Sequence, residues 1–284
     1  MLVTQRQFDS TVSAATARVV DPTEGFQGPA SMSWRIGREN MVFLGGGRAA
    51  LLQLAHPYVA HGVDQHSETR HDPIGRFNRT FLHVYNMIFG SRADALESAH
   101  GVRAIHDTIH GPITENVGRF EAGHRYRAHD HDALLWVHAT LIHTAVQVYD
   151  LAVAELTWAE RNQYYQESKS FAALFGIDPA LMPDTWTEFD AYVNDMVESD
   201  TIRVGVAAND LAKYLLTPPS RISQPFFDWY LLMTAGLLPD STRAQFGLRF
   251  SAEHERIYHA SFRTLRTVTK VLPPRIRYVP AYHE

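Results

Sequence analysis

Apolar positions recur along most of this chain at spacings of three and four residues, the period of helices with one side turned inward. Alternation of the strand type is scarce, and proline and glycine separate stretches of helical length. The pattern predicts helices at roughly 3–14, 30–38, 46–66, 73–89, 91–110, 130–156, 157–175, 185–198, 201–216, 224–237 and 251–270. Asp72-Pro73 reads as an N-cap followed by proline at the first helical position, Pro183-Asp184 precedes the helix through Trp186 and Phe189, and Ser251 with His254 and Glu255 opens the last long helix. Pro273-Pro274 closes that region. Gly111–Ala128 has no helical pattern, and Arg275–Glu284 is expected to form an extended strap across the surface or onto a neighbour. No internal repeat, low-complexity tract or long linker interrupts the chain, so the expectation is an all-α fold, a single large helical domain over residues 1–284.

The helix expected at 73–89 has an unusual balance of residues. At about 100° per residue, Arg76, Arg79, Thr80, His83 and Met87 share one narrow stripe, and Phe77, Phe81, Leu82, Val84, Tyr85, Ile88 and Phe89 occupy the remaining circumference. A surface helix shows the reverse, so a buried helix is predicted, its cationic stripe turned to something polar inside. Buried arginines need anionic or hydrogen-bonding partners. Haem propionates or a bound dioxygen would serve, and so would carboxylates from neighbouring helices.

On the helix expected at 91–110, Ala95, Ala99, Val102, His106 and Ile109 fall on one face. The small residues before His106 leave room for a flat macrocycle whose iron His106 would ligate, although a lone histidine on an apolar face is more often a satisfied core residue. His110 lies one turn on, so a two-histidine metal clamp is a second reading, without an HExxH pattern to support it. A non-haem iron set of His106, His110 and a carboxylate such as Asp107 is a third, with Asp107 pointing about 100° away from His106. In the 130–156 helix, His138 shares a stripe with Leu134, Leu135, Leu141, Ile142, Ala145 and Tyr149 and is predicted to be buried. It reads as a second axial ligand, a distal hydrogen-bond donor or a structural histidine, the last being favoured. His143 lies on the opposite side with Thr140, Thr144 and Gln147 and is expected near solvent.

Other motifs carry less. Gly45-Gly46-Gly47 lacks the GxxxxGK[ST] spacing of a phosphate loop and reads as a tight turn or close helix packing. His129-Asp130-His131-Asp132 looks metal-binding, but it sits at a helix start where aspartate caps are expected. Ser31, Ser33 and Ser67 have no GxSxG elbow, which leaves a hydrolase triad without support.

Composition narrows the chemistry further. The formal charge is −5 over 284 residues, with 45% hydrophobic and 20% charged residues, an ordinary globular balance without the basic footprint of a nucleic-acid binder. With no cysteine, disulfides, zinc ribbons, iron–sulfur clusters, thiolate-ligated haem and cysteine nucleophiles are all excluded. The 16 histidines leave imidazole as the ligand for any soft metal. No apolar run has signal-peptide or membrane-spanning character, so no transmembrane segment and a cytoplasmic location are expected.

Taken in order, several runs resemble one known family. Trp34-Arg35 is followed by Gly45-Gly46-Gly47-Arg48-Ala49-Ala50-Leu51-Leu52-Gln53-Leu54-Ala55-His56-Pro57, then His66-Ser67, Gly75-Arg76 with Thr80, Val102-Arg103 before His106, Tyr126-Arg127-Ala128, and Leu135-Trp136-Val137-His138-Ala139-Thr140. This order and spacing is similar to the MpaB/latex-clearing-protein catalytic domain, over approximately residues 30–250. The resemblance implies an α-helical fold with a globin-like core, one haem b, and oxidative cleavage of carbon–carbon double bonds in isoprenoid chains. It assigns His106 as the proximal iron ligand and places Arg76, Arg79 and Thr80 on the distal side. Rubber-cleaving members carry lysine where this chain has Arg79, whose guanidinium is always protonated. No carboxylate aligns with their assigned base, Glu68 being the nearest.

The resulting expectation is a haem b-dependent oxygenase acting with dioxygen on an apolar small molecule, such as an isoprenoid or another alkene-containing compound. Arg79 and Thr80 would be catalytic, and His106, Arg76 and His138 would contact the cofactor. Phe77, Phe81 and Met87, with Phe226, Phe227, Trp229 and Tyr230, would form an apolar wall. The alternatives are a non-catalytic haem-binding or sensing protein and a metal-free helical protein with structural histidines. The sequence leaves the oligomeric state open.

Overall fold

A computed structural model describes residues 1–66, 82–218 and 220–282. The chain is mostly α-helical, in the order α1 (Gln5–Thr16), α2 (Met32–Gly37), a 3₁₀ segment at Asn40–Gly45, α3 (Gly46–Leu54), α4 (Pro57–His66), α5 (82–88), α6 (Arg92–Asp107), α7 (His131–Ala152), α8 (Trp158–Ala173), α9 (Trp186–Glu198), α10 (Val206–Leu215), α11 (Gln224–Leu237), α12 (Asp240–Gln245), α13 (Ala252–Thr269) and α14 (Pro274–Arg277). Between α6 and α7, β1 (His110–Pro112) and β2 (Arg125–Arg127) pair antiparallel with His110 opposite Arg127, inside the stretch that lacks a helical pattern.

Local chemistry sets many of the boundaries. Thr4 with Gln7, Ser91 with Asp94, Thr157 with Glu160, Thr185 with Glu188 and Ser251 with His254 each form a capping box that satisfies amides at a helix start. Asp130 accepts from the amides of Asp132 and Ala133, so the His-Asp-His-Asp run is a cap. The helix expected at 46–66 breaks between α3 and α4, where Pro57 has no amide hydrogen and disfavours helical backbone at His56. α10 starts later than the periodicity predicts, because the Glu115 carboxylate accepts from Val206 N at 2.7 Å and Ala207 N at 3.1 Å. The expected C-terminal strap instead turns through α14 and folds back on its own chain. There Arg277 makes a bidentate pair with the buried Glu39, and Val279 N donates to Arg38 O at 2.8 Å.

α7 is the central element. It is buried on nearly every side and packs on the 3₁₀ segment, α3, α13, α9, α8 and α2. Trp136 is fully buried and its indole N–H donates to Leu52 O at 2.8 Å. The glycine run lets α3 come this close. A Cβ on Gly45 would collide with the Thr144 methyl and Val148 Cγ2, and one on Gly47 with Thr234 of α11. Gly47 N–H also donates to Tyr230 Oη at 2.8 Å.

Beside this contact lies a buried polar chain. Arg48 is 3% exposed and donates through Nε to Leu237 O at 2.9 Å, through Nη1 to Thr144 Oγ1, and through Nη2 to His143 Nδ1 at 3.1 Å. Guanidinium can only donate, so Nδ1 of His143 is the acceptor and Nε2–H donates to Asp190 Oδ1 at 3.0 Å. His143 is thus held in one neutral tautomer between two helices and stacks on Trp186, where the periodicity placed it near solvent. Burial pulls its pKa down, the Arg48 cation adds to that, and Asp190 opposes it.

Gly45→Ala and Gly47→Ala should each lower stability by about 1–3 kcal/mol through overpacking against α7 or α11, read as a lower urea midpoint with unchanged helix content. Gly101→Ala provides a control, because a Cβ there would meet only His83 Cε1 at 3.7 Å, an ordinary van der Waals contact, and the substitution should not lower the midpoint.

Candidate functional site

The geometry around His106 begins at α6. Its capping box starts the helix, and Ala95, Ser98, Ala99 and Arg103 form its buried side. Ala95 and Ala99 belong to the main core together with Met87 of α5, so packed side chains surround these small residues. Arg103 ties α6 to the N-terminal segment: Nη1 donates to Val3 O at 3.0 Å and its guanidinium lies 5.4 Å from the Phe8 ring centroid. Arg103 Nε is 3.6 Å from Asp107 Oδ1 and has no hydrogen-bond partner among the described residues. The same Asp107 oxygen accepts from His129 Nε2 at 2.7 Å, and the His129 ring sits 5.9 Å from that of His106.

His106 is therefore flanked by one guanidinium, one carboxylate and a second imidazole. Burial of its ring is the largest effect on its pKa, and His129 and Arg103 reinforce it against Asp107, holding His106 at about 4. Although part of the residue remains open to solvent, the imidazole is neutral at pH 7, and among the described residues no hydrogen bond to the ring is formed. A neutral ring with an uncommitted lone pair is the form that ligates a metal.

α5 lies across α6. His83 Cε1 is 3.7 Å from the Cβ position at Gly101, Asn86 Nδ2 donates to Ser98 Oγ at 3.2 Å, and Met87 is 2% exposed. The stripe expected to face inward thus does meet α6 at His83 and Met87. The opposite side is less buried than its apolar residues predict, with Leu82 58% exposed. His83 Nδ1 is buried without a partner among the described residues. Arg76, Arg79, Thr80, Phe77 and Phe81 lie outside the described residues, as do Ser67 and Glu68.

His138 is buried as its stripe predicts, but it turns to α8. Ser168 donates its hydroxyl hydrogen to Tyr165 O at 2.7 Å, so Ser168 Oγ can only accept from His138 Nε2, 3.4 Å away. His138 Nδ1 is then a bare, buried lone pair without a partner among the described residues, and burial drives the pKa down to about 3. No hydrogen bond or ring contact joins His138 to His106.

The two-histidine clamp is not assembled. α6 ends at Asp107, with Thr108 Oγ1 donating to Ile105 O at 2.8 Å, and His110 begins β1, exposed, its carbonyl accepting from His66 Nε2 at 3.0 Å. Among the described residues, no group of three or more histidines and carboxylates is placed to hold a metal ion. A macrocycle that brings its own iron and carboxylates needs one imidazole and cationic donors rather than such a group. His106 matches the imidazole and the partly committed Arg103 a cationic donor, with His83 on α5 packed against the same helix at Gly101. The aromatics of α11 contribute elsewhere: Phe226 is 59% exposed and Tyr230 binds Gly47.

The family model for the ER-bound oxygenase mpaB/B′/rubber oxygenase catalytic domain matches residues 34–267. The chain belongs to this family. The match includes α2 through most of α13, and hence His106 and His138. No curated protein and no solved structure matches the chain. Membership in an oxygenase family implies dioxygen and a small-molecule substrate. Among the described residues no helix is long and apolar enough to cross a membrane.

The buried histidines make stability fall with acidity. For His138, the folded pKa lies below the ordinary value of about 6.5, so the unfolded state takes up the proton first as pH drops below that value. Its share of the loss should reach about 2 kcal/mol at pH 5. Urea unfolding of the native protein and His138→Leu at pH 7 and pH 5 should show the native protein losing more by this amount. An equal loss in both would contradict the assignment of His138 as a buried neutral group.

Proposed function

We propose that the protein is a haem b-dependent oxygenase that acts on an apolar, alkene-containing small molecule, with His106 as the iron ligand. The observation that carries the reading is the neutral imidazole of His106, without a hydrogen-bond partner among the described residues, at the C-terminal turn of α6 inside the family-matched region. Bound there, haem b would supply the redox-active iron that dioxygen chemistry requires.

The chain's own groups have separable tasks. Arg103 anchors α6 on Val3 O and so fixes the direction in which the last turn presents His106. Asp107 holds His129 by its Nε2–H, which keeps that ring beside His106. His138 presents a bare Nδ1 and is the second imidazole proposed for contact with the cofactor. Arg76 is assigned to a propionate carboxylate, where a guanidinium makes charge-assisted hydrogen bonds. Arg79 and Thr80 are assigned to donate where negative charge develops on oxygen. The reading includes a single catalytic domain and a cytoplasmic location.

The test is an absorption spectrum of protein expressed with a haem precursor, with a pyridine haemochrome assay for stoichiometry. A Soret band at about one haem per chain, lost in folded His106→Ala, is expected, followed by oxygen uptake with isoprenoid alkenes. Folded, colourless protein that haemin cannot reconstitute would overturn the haem mechanism. Retained haem without oxygen uptake on any alkene would leave a haem-binding protein in place of an oxygenase.

A further inference from the structure

α13 divides its circumference three ways. At about 100° per residue, Tyr258, Phe262, Leu265 and Thr269 point inward, and Tyr258, Phe262 and Thr269 are buried. One flank carries Arg256, His259, Arg263, Arg266 and Lys270. The other carries Ile257, Ala260, Ser261, Thr264 and Val268, continued by Val271 just beyond the helix. From Arg256 to Arg275 the chain has arginine or lysine at 256, 263, 266, 270 and 275 and no aspartate or glutamate, within a protein of formal charge −5. Their side chains make no hydrogen bond or ion pair among the described residues. The nearest carboxylates in sequence lie in the first turn, Glu253 at the start of the other flank and Glu255 4.0 Å from His259, so the division holds from Arg256 onward.

From Ile257 onward the apolar flank is open as well. Ile257 is 41% exposed, Val268 39% and Val271 79%. Next to it stands the N-terminal half of α11, where Phe226 is 59% exposed and its ring lies 5.8 Å from that of Trp229. Trp229 Nε1 donates to Ser261 Oγ at 3.0 Å, which fixes this aromatic row against α13. A groove of about 370 Å³, lined by Trp229, Ile257, Ala260, Ser261, Thr264 and Leu265, runs between the two helices.

We propose that this face docks on an anionic lipid surface, the apolar flank and α11 aromatics entering the acyl boundary while the cationic flank lies among the headgroups. Charge complementarity selects this occupant. The centre of a protein interface is depleted of charge, whereas a lipid interface accepts apolar side chains and cations side by side. A second copy meeting the same patch about a two-fold axis would bring like charges together. Contact of this kind is peripheral and independent of whether His106 binds haem.

The test is co-sedimentation of the full chain with phosphatidylcholine vesicles, with and without phosphatidylserine. Binding is expected only with phosphatidylserine, weakened by salt. Arg263→Glu/Lys270→Glu should lower the affinity roughly tenfold or more, since each surface cation contributes about a factor of five. Ile257→Ser/Val268→Ser should also weaken binding, and Arg263→Lys should retain it, all with unchanged melting profiles. The proposal is overturned if no anionic vesicle sediments the protein, or if charge reversal abolishes binding while the serine variants bind normally, which would reduce the face to a diffuse cationic patch. A dimer in solution that the serine variants dissociate, without vesicle binding, would assign the face to a second copy instead.

Discussion

α7 can sit at the centre of this molecule because the helix beside it has no side chains at the points of closest approach. With hydrogen at Gly45 and Gly47, the 3₁₀ segment and α3 come against Thr144, Val148 and Thr234 without displacing them. Arg48, the next residue, is carried into the interior by the same approach and must find its donors' partners there. It finds them in Leu237 O, Thr144 and His143, so one steric allowance ties α3, α7 and α11 together and reaches α9 through Asp190. Arg48 remains a cation at neutral pH, burial having brought it down only to about 10. That charge in turn forces His143 to accept rather than donate.

Several other imidazoles are likewise kept neutral by their surroundings. His56, His106 and His138 are all pulled far below their ordinary pKa, mainly by burial. Yet the three are not equivalent. His138 has spent its one N–H on Ser168, and His106 has spent neither ring nitrogen on another described residue. A buried lone pair such as His138 Nδ1 loses the hydrogen bond that water would have supplied, whereas His106 stays partly open to solvent, where a ligand can take its lone pair in place of water. That access makes His106 the residue on which the proposed chemistry turns.

The surroundings of His106 come from distant parts of the chain. Val3 holds Arg103, and Val3 N donates to His129 O at 2.8 Å, so the first residues clamp the end of α6 to the approach of α7. The exposed aromatic and cationic faces of α11 and α13 belong to a different part of the surface, and their residues enter a different argument from the one about His106.

Helix period, caps and proline positions depend on neighbours a few residues away, and these were legible. The bounds of α11 coincide with the periodicity, Asp130 caps α7 as its position predicts, and a glycine run without phosphate-loop spacing does mark close packing. Even the tripartite face of α13 is written in its residue spacing. The partners were not legible. Nothing local to His143 indicates Asp190, 47 residues later, and a helical wheel puts His143 on the outside because it cannot know that α9 covers that side. The end of α6 was missed for a related reason: pairing of His110 with Arg127 takes the segment after Asp107 into a strand. The family and its chemistry were carried by an ordered set of motifs, since residue identities survive in linear order. Which imidazole keeps its lone pair, which arginine is buried and which apolar face stays open are properties of contacts between remote segments, and only the tertiary structure decided them.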